Sequence, residues 1–312
     1  MSPTIGVVGG GGFGRGLALA AHRNGHEVVV QTRNPDRNVG EGVTTTNSFE
    51  TVAEAPTIFI AVPSQFVEQT AIGLAPHLNG SHYLVHVSRG LVGADLQPIT
   101  SILRAQTPAR RLGALGGPLV AEALQEGTPS GAVIGTRFPE VATAVQEAIA
   151  STALRIYTTE DVVGVQAASA MVGLLALAAG FARASKLGPA ALAVMATRGI
   201  AEAARVGRAI GAQESTFYGL AGFGDISAAL AGDERPEVRL GRALSTGLPL
   251  EEAAAKAGAF IEGTDLARRV RSYVDRQAME APICSILADV LAHKSTAEEA
   301  VRALMTRRQK SE

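Results

Sequence analysis

The residues with the clearest chemical purpose stand near the start of the chain. Gly9-Gly10-Gly11-Gly12-Phe13-Gly14 places glycines at positions 9, 11 and 14, between a β-branched run at 4–9 and a helix-like stretch that ends near Gly25. In that context each glycine has a task. Gly9 permits a tight turn, Gly11 lets a pyrophosphate approach the backbone, and Gly14 lets the helix lie close to the sheet. The phosphates then meet the unpaired N–H groups of the helix N-terminus. The strand before and the helix after favour a dinucleotide site over a glycine-rich structural turn. The end of the second strand, "VVVQTRNPDR", carries Arg33 where an acid for the ribose hydroxyls is usual. A guanidinium cradles a 2′-phosphate or stacks on adenine, which leans toward NADP. Asp36 could still reach back, so NAD stays open, and the plainer reading of Arg33 is a solvated loop residue.

Other chemistry-bearing residues form no such pattern. The six histidines, at 22, 26, 77, 82, 86 and 293, lack a metal-ligand spacing, and no metal site is expected. His82 and His86 share a predicted strand, where four residues span about 13 Å. His86 stands near the cleft end of that strand, where a proton donor would be of use; a structural role is the plainer reading. The single cysteine, Cys284, excludes an intrachain disulfide and reads as a buried, inert thiol. Lys186 reads as a solvated charge at a helix end.

These residues need elements to hold them. Strand-like runs at 4–9, 27–32, 57–62, 82–87, 131–136 and 154–159 alternate with helix-like segments, one of them at 139–151. That alternation predicts βαβ units and a parallel, Rossmann-like sheet. From Asp161 the β-branched clusters give way to helix-length segments, at 161–184, 189–211, 214–221, 237–245, 250–257, 264–278, 281–292 and 296–307. The expected organisation is a dinucleotide-binding domain over 1–160 and an all-helical substrate domain over 161–312. The longest apolar run, 167–182, is shorter than the roughly 20 residues a bilayer crossing needs and is expected to be a buried helix. Nothing at the N-terminus reads as a signal peptide, so a cytoplasmic location and no membrane insertion are expected. With 28 basic and 29 acidic side chains, bulk charge gives no reason to expect nucleic acid.

Taken in order, the motifs resemble the bacterial-type NAD(P)-dependent glycerol-3-phosphate dehydrogenase family. They include "FIAVPSQFVEQTA", "VSRGL", "GGPLVAEAL", "YTTEDVVGVQ", "ATRGIAEAARVGRAIGA", "TFYGLAGFGDI" and "IEGTDLARRV". The resemblance implies a Rossmann-like domain followed by a helical domain, with the active site between them. It implies hydride transfer between dihydroxyacetone phosphate and sn-glycerol 3-phosphate, a small-molecule substrate and a homodimer. It places Gly9, Gly11, Gly12, Phe13, Gly14, Arg33, Pro63, Ala121 and Glu262 at the cofactor. It places Gly117, Arg235 and Arg239 near the substrate, and Arg89 and Asp225 at the chemistry.

The departures fall in the substrate half. The lysine of the family's "SKG" is Arg89 here, and "SGPSFA" reads Gly116-Gly117-Pro118-Leu119-Val120-Ala121, without two hydroxyls. The catalytic lysine and its asparagine align with Val172 and Gly173. The family's phosphate-binding Arg-Asn aligns with Pro236-Glu237, with Arg235 and Arg239 on either side. A general acid supplies roughly 10²–10⁴-fold in rate, so ordinary turnover of glycerol 3-phosphate is expected to be weak. Three readings follow: a dehydrogenase of the family's reaction with a degraded substrate site, a dehydrogenase for a less anionic hydroxy or keto compound, and a dinucleotide-binding protein without catalysis.

Overall fold

The computed structural model describes residues 3–36, 39–232, 235–258, 262–292 and 294–306, without the side chains of residues 262, 263, 297, 298 and 301. Short β-branched runs become strands because their Val and Ile side chains are buried on both faces, as a sheet covered by helices requires. The strands are β1 (Ile5–Val8), β2 (Val28–Gln31), β3 (Val43–Thr46), β4 (Thr57–Ile60), β5 (Tyr83–His86), β6 (Leu91–Val92), β7 (Gln97–Pro98), β8 (Arg111–Gly116), β9 (Ser130–Thr136) and β10 (Leu154–Thr159). Eight of them form one sheet in the order β10-β9-β8-β5-β4-β1-β2-β3, and β6 and β7 pair as a small hairpin. The strand order reverses between β1 and β4. Ligands of open α/β sheets bind at such a point, outside the carboxyl ends of the strands.

The sheet departs from a fully parallel one at a single joint, where β8 and β9 run antiparallel. The connection explains it. After Gly116 the chain forms only the six-residue helix Ala121–Glu126, closed by Gly127 in the left-handed region. That helix lies against the glycine-loop helix instead of carrying the chain back across the sheet, so β9 re-enters from the end at which β8 left. Strands β3, β6, β7 and β8 are absent from the pattern reading: β3 has one valine before a run of threonines, β6 and β7 are two residues each, and two glycines interrupt the apolar run of β8.

Beyond β10 the described residues are helical. Asp161 opens this part by capping the helix Val162–Ala184: its Oδ1 accepts from the Gly164 N–H at 2.9 Å. Its Oδ2 accepts from the Gln213 N–H at 2.9 Å, tying in the start of a second helix. The helix Val162–Ala184 has 23 residues, longer than its uncharged stretch. By length and composition it could cross a membrane, but 89% of its most apolar window is buried by the protein itself. Length is therefore not what separates it from a membrane span; burial against the rest of the fold is. Its small residues allow close approach. A Cβ on Gly180 would come within 2.0 Å of the Val238 carbonyl oxygen, and one on Gly241 within 2.0 Å of the Leu177 carbonyl oxygen. The helix Pro236–Leu244 thus lies backbone to backbone on it. Gly199 serves similarly, its missing side chain leaving room for Leu175.

Candidate active site

The glycine loop has the geometry its spacing requires. Gly9 has φ +113°, and a Cβ there would meet the Ala61 carbonyl oxygen at 2.4 Å. A Cβ on Gly14 would meet the Gly9 carbonyl oxygen at 1.8 Å, so this turn of helix presses directly on the loop. Gly11 faces open space, with no atom within 4 Å of its Cβ position. It is also the N-cap of the helix Gly12–Arg23, and no side chain caps it. The first N–H groups of that helix are therefore left for an outside acceptor, and a pyrophosphate fits there. Gly12 lies against Ala121, whose Cβ is 3.5 Å from its own Cβ position, and Phe13 is half-buried beside it. Pro63 caps the turn Ser64–Phe66 that follows β4.

At the end of β2, Arg33 is exposed, with its guanidinium carbon 5.9 Å from the centre of the Phe66 ring. The exposed Arg33 and the half-buried Phe66 form a cation–aromatic pair beside the loop, a place where an adenine or a 2′-phosphate can be held. Asp36 is also exposed. Phe66 did not stand out in the sequence; only its place three residues after Pro63 marks it. The side chain of Glu262 lies outside the described residues, and its backbone opens the helix Glu262–Arg276.

The chemistry-bearing residues of three distant segments meet at Asp225. This residue is fully buried in the first turn of the helix Asp225–Ala231, directly after a π-helical turn over Leu220–Gly224. Arg89 arrives from the loop after β5. Its Nη1 lies 3.3 Å from Asp225 Oδ2, and its Nη2 reaches the Leu119 carbonyl oxygen at 3.5 Å. The loop that carries it is fixed by Ser88, whose hydroxyl donates to the Val62 carbonyl oxygen at 2.6 Å. Arg235, the residue before the helix Pro236–Leu244, donates from Nη2 to Asp225 Oδ1. Its side chain is 4% exposed, and among the described residues its buried Nε and Nη1 have no hydrogen-bond partner. Burial, with the Arg89 charge second, lowers the Arg235 pKa to about 9, while the Glu237 charge acts in the opposite direction. Arg235 therefore remains a cation at neutral pH.

The other expected residues divide. Gly117, at φ +106°, turns the chain after β8. Arg239 does not join the cluster: its Nε donates to the Ala257 carbonyl oxygen at 3.1 Å, at the end of another helix. Val172 is fully buried in the apolar core of the helical domain. Of the lysines at 186, 256, 294 and 310, the first three are exposed and none pairs with Asp225; Lys310 lies outside the described residues. His86 is 2% exposed, with Nε2 2.9 Å from Gln166 Oε1, and burial lowers its pKa to about 4. Gln166 also accepts from the Thr100 N–H and donates to its hydroxyl. His86 is thus a neutral joint between sheet and apolar helix, and the structural reading of it holds. His82 is likewise structural, its Nε2 2.9 Å from the Ala53 carbonyl oxygen. Burial pushes the Cys284 thiol well up, as expected for an inert one. Among the described residues no cluster of histidines, cysteines and carboxylates could hold a metal.

Sequence reasoning missed Ser169. Its buried hydroxyl has no hydrogen-bond partner and lies 2.3 Å from where a Cβ of Gly116 would be. Its hydroxyl occupies the space that a side chain at position 116 would take. The sole signal was that Ser169 is the one polar residue within that run.

A glycine loop at the switch point of a parallel sheet, facing a helical domain that contributes a buried carboxylate, defines a two-domain protein of the dinucleotide-dependent dehydrogenase class. Comparison with known proteins narrows the class. Residues 35–142 match the family described as NAD-dependent glycerol-3-phosphate dehydrogenase N-terminus, and residues 161–302 match its C-terminus. A protein of Halorhodospira halophila named glycerol-3-phosphate dehydrogenase (NAD(P)+) is 32% identical over 331 residues, covering 100% of this chain and 99% of its own length. One of the same name from Bradyrhizobium is 32% identical over 325 residues, covering 99% and 98%. The crystal structure of glycerol-3-phosphate dehydrogenase from Coxiella burnetii superposes with a TM-score of 0.91 at 23% identity, covering 98% of this chain and 99% of that one. The chain belongs to the NAD-dependent glycerol-3-phosphate dehydrogenase family.

Proposed function

We propose that this protein interconverts a small ketone and its secondary alcohol with NADP or NAD, and that Arg89, Asp225 and Arg235 form the reacting centre. The observation that carries the reading is the meeting of these three side chains beyond the carboxyl ends of the strands, with two Arg235 nitrogens that have no hydrogen-bond partner among the described residues. A bound dihydronicotinamide supplies the hydride. Arg235 offers Nη1 to the carbonyl oxygen and stabilises the negative charge that gathers there, in a site where burial strengthens such a donor. Asp225 holds both guanidiniums in place and offsets their mutual repulsion. Both arginines are cations held against Asp225, itself an ion-paired carboxylate, so the alkoxide takes its proton from water. Arg33 beside Phe66 favours NADP, with NAD accepted. The protein works as a cytoplasmic homodimer without membrane insertion.

The test is NADPH and NADH oxidation by the purified protein with a panel of small ketones that includes dihydroxyacetone phosphate, beside a variant Arg235→Met. Losing one such donor costs about 2.7–4 kcal/mol in the transition state. The variant is expected to lose roughly 10²–10³-fold in kcat while its NADPH affinity stays within about twofold. Binding of NADPH without oxidation against any ketone would favour the non-catalytic reading.

A further inference from the structure

The hairpin of β6 and β7 is a wedge between the two halves of the chain. Successive side chains along a strand point to opposite sides. Leu91 is fully buried in the core of the helical domain, with Leu266 and Val270 of the helix Glu262–Arg276, whereas Val92 packs on the sheet domain. Leu96, at the turn of the hairpin, is also fully buried in the helical core. Its φ of +52° is a left-handed backbone that a leucine keeps only where its surroundings hold it. Two arginines of the helix Glu262–Arg276, about two turns apart on one face, grip the hairpin. Arg269 Nη1 donates to the Leu91 carbonyl oxygen at 2.8 Å. Arg276 Nη2 donates to the Ala94 carbonyl oxygen at 2.5 Å and to Asp95 Oδ1 at 3.0 Å. The Arg269 bond meets a need that the hairpin itself leaves. Leu91 pairs with Pro98, which has no N–H to donate, and a buried carbonyl without a donor is costly.

We propose that Arg269 is a positioning residue of the reacting centre: by holding the Leu91 carbonyl oxygen it fixes the reach of Arg89 to Asp225. The inference rests on the dehydrogenase reading above. Arg89 is two residues from Leu91, and so short a chain spans at most about 7 Å. A shift at Leu91 therefore passes directly to Arg89. The other side of Arg89 is anchored on the sheet domain. Ser88 is bonded to the Val62 carbonyl oxygen, and Gly90 lies so near Ser64 that a Cβ there would meet the Ser64 Cβ and Oγ at 2.6 Å. Arg269 supplies the second anchor from the domain that carries Asp225, so Arg89 and Asp225 are held in one frame. Its own carboxylate neighbour is Asp265, one turn back on the same helix, with Oδ2 4.0 Å from Arg269 Nη2. Precision matters at Arg89, because a misplacement of about 1 Å at a reacting centre costs up to about 10²-fold in rate.

The experiment measures NADPH oxidation with dihydroxyacetone phosphate, and NADPH affinity by fluorescence titration, in the full chain. Arg269→Met is expected to lose about tenfold in kcat while NADPH affinity stays within about twofold. Arg269→Lys, which can still donate to one carbonyl, is expected to stay within about threefold of the starting kcat. Arg269→Gln, polar but shorter, is expected to follow Arg269→Met and keeps the test standing if the methionine variant does not fold. A merely structural arginine would lower kcat by the same factor whether or not Arg89 is present. Here Arg269→Met is expected to change kcat by less than about twofold in an Arg89→Met background, because residues that act through one another are not additive. An equal loss in both backgrounds, or an unchanged kcat in Arg269→Met and Arg269→Gln, would overturn the proposal. If the unaltered protein does not reduce the ketone, the dehydrogenase reading is what fails, and a crystal structure of the Arg269→Met or Arg269→Gln variant then decides the positioning. Arg89 Nη1 moved beyond about 4 Å from Asp225 Oδ2, the reach of an ion pair, is the expected result; Arg89 left in place overturns it.

Discussion

Single residues in this protein carry their chemistry through what surrounds them. Asp225 illustrates it: alone it is a buried carboxylate, but with Arg89 and Arg235 it becomes the anchor of a charge cluster. Its place in "GFGDI" made it visible in the sequence, whereas the partnership of Arg235 was not visible. Positions 89, 225 and 235 lie on three separate segments, and which of Arg235 and Arg239 turns inward is decided by where the helix Pro236–Leu244 begins. Arg235 precedes the helix and points to Asp225, while Arg239, one turn on, faces Ala257. His86 gives the residue-scale prediction. Burial depresses its pKa from 6.5 to about 4, against a partly offsetting hydrogen bond to Gln166. A depressed folded-state pKa means that the unfolded chain takes the proton first. The contribution to stability is then complete above pH 6.5 and is lost as pH falls through about 4. The shift corresponds to about 3 kcal/mol. Urea denaturation across that interval is expected to show this loss in the native protein and a shallower slope in His86→Gln.

Elements position those residues through close backbone approach. The apolar helix Val162–Ala184 and the helix Pro236–Leu244 meet at Gly180 and Gly241, where added Cβ atoms would sit 2.0 Å from carbonyl oxygens. The contact fixes the helix whose N-cap is Arg235. Gly241→Ala is expected to force the helices apart at a cost of about 1–3 kcal/mol, read as a lower thermal midpoint. Gly247→Ala, in open space but at φ +81°, supplies a comparison in which strain has a backbone origin alone. The sequence made the apolar helix legible by its long uncharged run and β1 by its β-branched residues before the glycine loop. It did not make legible β8, whose glycines break the pattern, the helix Asp225–Ala231, which follows a π turn, or the antiparallel joint between β8 and β9. Those features depend on which surfaces meet, and local residue pattern carries little of that information.

The whole molecule is a cofactor-holding sheet domain joined to a helical domain by a few polar contacts across an otherwise apolar seam. Arg89 to Asp225 is one such contact, and His86 to Gln166 is another. Both tie the ends of sheet strands to the helical half, so the Arg89–Asp225–Arg235 cluster is assembled only when the two halves are together. The glycine loop could be read from its spacing, because backbone geometry dictates those residues. The neighbours of Gly116 and Gly173 could not be read in this way, since Ser169 and Glu237 reach them from positions that sequence order does not connect. The central claim is that the nicotinamide of a bound dinucleotide meets the Arg89–Asp225–Arg235 cluster. The most direct measurement is a crystal structure of the protein with NADP and a small alcohol. The account predicts the alcohol oxygen within hydrogen-bond reach of the Arg235 guanidinium and its carbon about 3–3.5 Å from nicotinamide C4. A nicotinamide ring bound away from that cluster, with Arg235 still closed on Asp225 and touching nothing else, would contradict it.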